Sequence, residues 1–204
     1  MSIDRDSLIH YHKYLCPVSE GISNNWRVEK YSYTEDHINN MLKYAAESQK
    51  PVIAFPNITY TKLYYKDTVV MLDEPVELYS CQYLLDRVEG SIFITGLGLG
   101  ILPSMLLDND KVTFITIVEN SKDVLELVYN NYYDKIWDKN KIEVIEADGW
   151  NYIPYRKYDY GWHDLWLDNF DHDESDELIT LYKGYIENQI SWLDHLYDWQ
   201  INNK

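Results

Sequence analysis

Apolar and polar residues alternate in two different ways along this chain, and the change comes near residue 91. Before it the pattern is mixed. Met1 to Tyr14 predicts a short helix, after which Pro17, Gly21 and the Asn24-Asn25 pair break continuity. Ile38, Met41, Leu42, Ala45 and Ala46 share one helical face. Thr34 is placed to cap that helix, Glu35 and Asp36 complement its positive end, and Lys50-Pro51 ends it. Val52 to Phe55 is a short apolar run. Thr59 to Tyr65 and Thr68 to Leu72 flank Lys66-Asp67 and predict a β-hairpin over about 60–73. A helix is expected from about Glu77 to Val88, carrying Leu78, Tyr79, Cys81, Leu84 and Leu85, with Gly90 as its stop.

From Ser91 onward, strand and helix patterns take turns. Ile92 to Thr95, Val112 to Val118, Lys141 to Ile145 and Tyr160 to Leu167 read as strands. Gly100 to Leu107 and Ser121 to Tyr132 read as the helices between the first three. This alternation predicts an α/β fold: a shortened Rossmann-like parallel sheet of order 3-2-1-4 with right-handed crossovers, preceded by the helix and hairpin. Leu178, Leu181, Tyr185, Ile190, Leu193 and Leu196 predict a long C-terminal helix broken at Gly184. One domain is expected over 1–204: a helix-and-hairpin extension (1–90), an α/β core (91–170) and a C-terminal helix (171–204).

Composition narrows the picture. The 204 residues suffice for one sizeable core. With 46% apolar residues and 15% aromatic ones, among them 20 Tyr and 7 Trp, the chain is not of the disordered class. The net charge of −16 and the absence of a basic run disfavour nucleic acid as a partner. The acidity reads as solubility, or as attraction for a cationic substrate or a protein surface. Two cysteines, Cys16 and Cys81, imply neither a disulfide framework nor a cysteine zinc site. No signal-peptide core or membrane-length apolar run stands out, so a cytoplasmic protein is expected, its oligomeric state open, a homodimer included. His10 and His12 lack a third metal ligand, and the acidic stretch Asp171 to Glu177 suits a helix start without any ion, so no metal is expected.

The chemistry concentrates at the ends of the core strands. Gly96, Gly98 and Gly100 lie between a strand and a helix, where the backbone can turn sharply and approach a ligand closely. The dinucleotide fingerprint would place its third glycine or alanine at Ile101, so this loop does not match the NAD pattern. Glu119 ends the second strand, where a carboxylate can accept ribose hydroxyls. Asp148 follows the third strand beside Gly149 and Trp150 and can accept an adenine amino group; a turn aspartate is the plainer reading. Asp164 lies toward the carboxyl end of the fourth strand and is the candidate catalytic group, as general base or as a holder of a cation. His163 is expected to face the other side of the sheet.

In this order, Thr-Gly-Leu-Gly-Leu-Gly, Ile-Val-Glu-Asn, Glu-Ala-Asp-Gly and Tyr-Asp-x4-Asp resemble class I S-adenosylmethionine-dependent methyltransferases over about residues 60 to 170. The likeness is nearest to their spermidine-synthase-like branch, with Val-Val-Met-Leu-Asp resembling its strand-plus-acid entry. Phage and bacterial proteins of unassigned substrate share it. The resemblance implies S-adenosylmethionine as cofactor, its methionine part passing Gly96, Gly98 and Gly100, its ribose held by Glu119 and its adenine amino group by Asp148. It puts Asp164 at the catalytic aspartate position of polyamine synthases. Leu99 stands where those enzymes carry an acid, and their tyrosine-histidine-glutamate signature has no counterpart around Leu78 to Cys81. The expected function is therefore group transfer, methyl transfer first, from the sulfonium cofactor to a small or cationic acceptor. The alternative is a non-catalytic acidic binding protein on the same fold.

Overall fold

The structure, a computed structural model, describes residues 5–48, 54–165 and 172–192. Arg5–Tyr14 winds as a 3-10 helix. Two antiparallel strands follow, β1 (Gly21–Ser23) and β2 (Trp26–Ser32), turning at Asn24, whose φ of 49° lies in the left-handed region that asparagine tolerates. Helix α1 (Glu35–Ser48) begins as expected, with the Thr34 hydroxyl accepting the His37 N–H at 3.2 Å. The hairpin of β3 (Thr59–Tyr65) and β4 (Thr68–Leu72) turns at Lys66. β2 pairs antiparallel with β3, so the hairpin is half of a four-stranded sheet of order β1-β2-β3-β4. Of the apolar run at 52–55, Ala54 and Phe55 are not strand and the rest lies outside the described residues.

Asp73 ties this sheet to the N-terminal segment. One carboxylate oxygen accepts the Thr61 N–H at 2.6 Å, the other the Cys16 N–H at 2.8 Å. The Lys30 ammonium donates to the Cys16 carbonyl and the Thr61 hydroxyl beside them. Burial pushes the Asp73 carboxyl up, while these N–H donors hold it back. An amide in its place turns an N–H toward one of the two buried donors. Asp73→Asn should therefore lower stability by about 1–3 kcal/mol, measured by urea denaturation; a change below about 0.5 kcal/mol would deny the tie.

Helix α2 (Pro75–Leu85) starts with proline at its first position and ends at Asp86; Gly90, expected as its stop, instead opens the next strand. The core then runs β5 (Gly90–Thr95), α3 (Ile101–Leu107), β6 (Val112–Glu119), α4 (Lys122–Val124), β7 (Ile142–Glu146), β8 (Tyr158–His163), α5 (His172–Tyr182) and β9 (Ile186–Ser191). α4 passes directly into a π-helical turn over Leu125–Asn130, within the predicted helix. All five strands are parallel, in the order β7-β6-β5-β8-β9. The predicted 3-2-1-4 order is present and extended by one strand.

That fifth strand corrects the expected C-terminal helix. α5 closes at Tyr182, the chain turns through Gly184, and Ile186 to Ser191 pairs with β8. Ile186 and Ser191 are buried with polar residues between them, so the strand lacks a clean apolar alternation. Two of its polar side chains find partners on neighbouring elements: the Gln189 amide donates to the Ile179 carbonyl of α5, and that of Asn188 to the Asp159 carbonyl of β8. Leu193 and Leu196 lie outside the described residues. β8 also stops at His163, short of the predicted Leu167, which leaves Asp164 as the first residue beyond the strand.

The two faces of the parallel sheet pack differently. Ile92, Ile94, Ile115 and Ile117 join one cluster with Leu78 and Leu84 of α2, Ile101 and Met105 of α3, and Trp26, Val28 and Leu63 of the antiparallel sheet. The N-terminal sheet is thus part of the main core. Phe93 and Val118 face Leu178 and Tyr182 of α5 on the other side. No helix among the described residues is long and apolar enough to cross a membrane.

Candidate functional site

The loop from Gly96 to Gly100 leaves β5 with three glycines at positive φ, 93°, 53° and 71°. At Gly96 the close approach is to backbone: a Cβ there would fall inside the Asp164 carbonyl oxygen. The same junction is closed by the Asp164 N–H donating to the Thr95 carbonyl at 3.0 Å. Gly100 caps α3 and lies on the Tyr133 ring, whose hydroxyl donates to the Leu99 carbonyl at 3.0 Å. Over Gly98 lies Met71 of β4, its sulfur accepting the Leu99 N–H at 3.1 Å.

Glu119 reaches back from the end of β6 to this loop. Its Oε2 accepts the Leu97 N–H at 2.9 Å and its Oε1 the Ser121 N–H at 2.8 Å. Each oxygen keeps lone-pair capacity for a further donor. Burial raises its carboxyl above the usual range, and the N–H donors oppose that shift.

Asp164 stands beside it. Burial, with the Glu119 charge adding to it, pushes its carboxyl up to about 7. Glu77, in the first turn of α2, is pushed up to about 8 by burial and by the charges of Asp164 and Glu74. Both groups hold protons in the folded chain that the unfolded chain releases near pH 4. Their contribution to stability therefore falls as pH rises from about 4 through 7 and 8.

Gly96, Gly98, Glu119 and Asp164 line one partly open cavity of about 110 Å3, along with Met71, Glu77, Cys81, Trp26, Trp162 and Trp192. Gly100 and Asp148 do not line it. Asp148 is exposed just beyond β7, where its carboxylate accepts the Trp150 N–H at 3.0 Å and an amide hydrogen of Asn151. Four strand ends thus carry the expected site in sequence across the sheet: Asp148 after β7, Glu119 on β6, Gly96 after β5 and Asp164 after β8. At ~4.8 Å per strand they span roughly 14 Å, which suits an elongated ligand laid across the edge.

His163 faces away from this cavity, as expected. Its Nε2 pairs with Gln189 Oε1 at 3.0 Å and its Nδ1 with the Thr95 hydroxyl at 3.1 Å. The Gln189 amide nitrogen is already donating to Ile179, so its oxygen must accept and Nε2 carries the proton. Burial pushes this imidazole down to about 4. The ring stacks on Tyr182 at 5.3 Å.

Sequence reasoning did not single out Glu77, Met71 or the three tryptophans. Glu77 reads as an ordinary acid in a helix's first turn, and its neighbour Asp164 is far along the chain. Among the described residues no three His, Cys, Asp or Glu side chains are grouped to hold a metal.

No family model matches the chain, and no curated protein matches its sequence. Among solved structures it is similar to M. capricolum TrmK in complex with S-adenosyl-homocysteine, with TM-score 0.46 and 16% identity over 55% of this chain and 50% of that one. It is also similar to the glycopeptide N-methyltransferase MtfA complexed with S-adenosyl-L-methionine, with TM-score 0.44 and 14% identity over 54% and 46%. A third is a caffeoyl-CoA O-methyltransferase, described as putative, from Staphylococcus aureus, with TM-score 0.42 and 12% identity over 74% and 61%. The chain spans about half the length of the first two. At such scores a shared outline does not carry function from one protein to another.

Proposed function

We propose that this chain binds S-adenosylmethionine across the carboxyl edge of its parallel sheet and transfers the methyl group to a small or cationic acceptor. The observation that carries the reading is the placement of Glu119, a shielded carboxylate turned onto a left-handed glycine loop between a parallel strand and a helix. The residues fit the group in kind. Glu119 keeps lone pairs for ribose hydroxyls, the glycines leave the backbone open to close approach, and Asp148 offers an exposed carboxylate for the adenine amino group. The 110 Å3 enclosed beside Asp164 takes the end of such a ligand, and the nucleoside would lie on the open edge toward β7.

Bound there, S-adenosylmethionine supplies an electrophilic methyl group on a sulfonium. The chain supplies negative charge at Asp164, attractive to cations, and a carboxyl whose proton affinity near pH 7 suits a general base. Met71 would have to leave the Leu99 N–H for that backbone donor to face a ligand.

Calorimetric titration with S-adenosyl-homocysteine tests the reading. Saturable binding is expected, with no heat from NAD. Glu119→Ala should weaken it about 10–100-fold, the worth of a hydrogen bond to a charged group. Glu143→Ala on the adjoining strand, where the carboxylate accepts the Thr116 and Tyr155 hydroxyls, should leave it unchanged. Equal losses in the two variants, or binding of NAD alone, would reverse the assignment.

A further inference from the structure

Behind the carboxyl edge, on the face of the sheet opposite the cavity, four residues close a circuit of contacts. Tyr182 ends α5 and is fully buried. Its hydroxyl donates to the Gly149 carbonyl, in the turn that follows β7 and carries Asp148. Its ring stacks on His163, inclined by 11°. Burial keeps His163 neutral, and its Nε2 proton is committed to Gln189. Nδ1 is therefore an acceptor, and the Thr95 hydroxyl donates to it. Thr95 returns the circuit to its start: a Cβ on Gly149 would come within 3.4 Å of the Thr95 methyl group and 2.9 Å of Leu165. Gln189 adds a brace, its amide holding the Ile179 carbonyl one turn before Tyr182.

Asp148 is exposed, but Gly149 beside it is buried in this circuit. The bonds that the Asp148 carboxylate accepts, from the Trp150 N–H and the Asn151 amide, orient it within the turn and do not fix the turn on the sheet. Outward ties lie on either side of it. The Ala147 N–H donates to the Glu119 carbonyl of β6, and the Gly149 carbonyl takes the Tyr182 hydroxyl. Burial and the Asp148 charge raise the Tyr182 phenol, so it keeps its proton and remains a donor. A hydrogen bond weakens steeply with misplacement, so the groups behind an exposed acceptor decide how well it works.

We infer, resting on the cofactor reading above, that Tyr182 is a positioning residue for the nucleoside. Through Gly149 it holds the Asp148 carboxylate where a purine 6-amino group donates to it, and so sets a preference for a 6-amino over a 6-oxo purine. Tyr182 itself touches no ligand. α5 and β9 lie on the far face of the sheet, and their part in binding is to brace this turn.

The probes are S-adenosyl-homocysteine and S-inosyl-homocysteine, which carries a 6-oxo group in place of the 6-amino group, each titrated calorimetrically into the full chain. The parent should bind the first at least tenfold tighter, the worth of a hydrogen bond to a charged group. Y182F should bring that preference below threefold by loosening S-adenosyl-homocysteine, with S-inosyl-homocysteine held within twofold. Equal weakening of both ligands, with the preference intact, is what a purely structural tyrosine gives, and it would overturn the proposal. In the D148N background, Y182F should change S-adenosyl-homocysteine affinity less than twofold. A further loss as large as in the parent would put the effect outside Asp148 and overturn it too. If Y182F does not fold, hydrogen exchange in the parent decides. Amides at 182–186 should be slowed more by saturating S-adenosyl-homocysteine than by saturating S-inosyl-homocysteine, because coupling between two sites is reciprocal; equal slowing overturns the proposal. Two analogues bound with equal affinity by the parent would remove the Asp148 and Tyr182 roles alone, whereas no binding of S-adenosyl-homocysteine would overturn the cofactor reading and this proposal together.

Discussion

Gly96→Ala should lower the stability of the folded chain by roughly 2–6 kcal/mol, enough to unfold a large share of molecules at 37 °C. Two effects add. The φ of 93° lies where side-chain-bearing residues are strained, at a cost of about 1–3 kcal/mol. The new methyl would also overlap the Asp164 carbonyl oxygen, and backbone cannot swing aside as a long side chain can. That overpacking adds a further ~1–3 kcal/mol. Gly184 provides the contrast. A Cβ there meets nothing within 4 Å, and Gly184→Ala should stay within about 0.5 kcal/mol of the parent. Urea denaturation of both variants measures the difference. Equal, small effects would mean that the strand-end contact between β5 and β8 is not tight in solution.

Asp164→Asn is expected to cut turnover by about 10²–10⁴, the usual contribution of a positioned acid–base group, while S-adenosyl-homocysteine affinity changes only a few-fold. The acidic limb of the rate profile, centred near pH 7 where the Asp164 carboxyl titrates, should disappear with it. Stability should move the opposite way. In the parent, the folded state resists ionising this group, so the chain loses stability as pH rises from about 4 to 7. Asparagine has no proton to lose, so the variant should be the more stable of the two above pH 7. Labelled S-adenosylmethionine with a panel of small amines, peptides and nucleic acids, read in single turnover, and thermal melts at pH 6 and 8 give the two readings. A variant with full turnover and the same acidic limb would remove Asp164 from the chemistry.

Much of the core was legible because its signals are local. The runs at 92–95 and 112–118 are apolar throughout, as strands buried on both faces must be, and the glycines between strand and helix mark the turn directly. Glu119 and Asp164 follow from the same logic, since residues at carboxyl ends of parallel strands converge on one edge. β9 was not legible. Its Asn188 and Gln189 are polar in a strand because partners on Asp159, Ile179 and His163 satisfy them, and those partners are set by tertiary structure. β2 carried a readable signal in the alternation of Trp26 and Val28 after an Asn-Asn turn, which its short, polar partner β1 obscured. Glu77 could not be placed from sequence. Its position depends on α2 packing onto α3 and the N-terminal 3-10 helix, contacts that no spacing within the helix encodes.

The hydrogen bonds running from Thr95 through His163 to Gln189 join the ends of β5, β8 and β9 into one piece. Gly96 and Asp164 are the residues directly after the first two, so neither can shift without the other. The facing wall, built by Trp26, Met71 and Glu77, belongs to the antiparallel sheet and α2, and meets the loop at Leu99 through a thioether contact. The two walls of the cavity are thereby encoded largely in separate lengths of the chain. On the proposed function, a chimera that exchanges residues before about 90 for those of another protein of this architecture should keep its affinity for S-adenosyl-homocysteine while presenting a different facing wall to the acceptor.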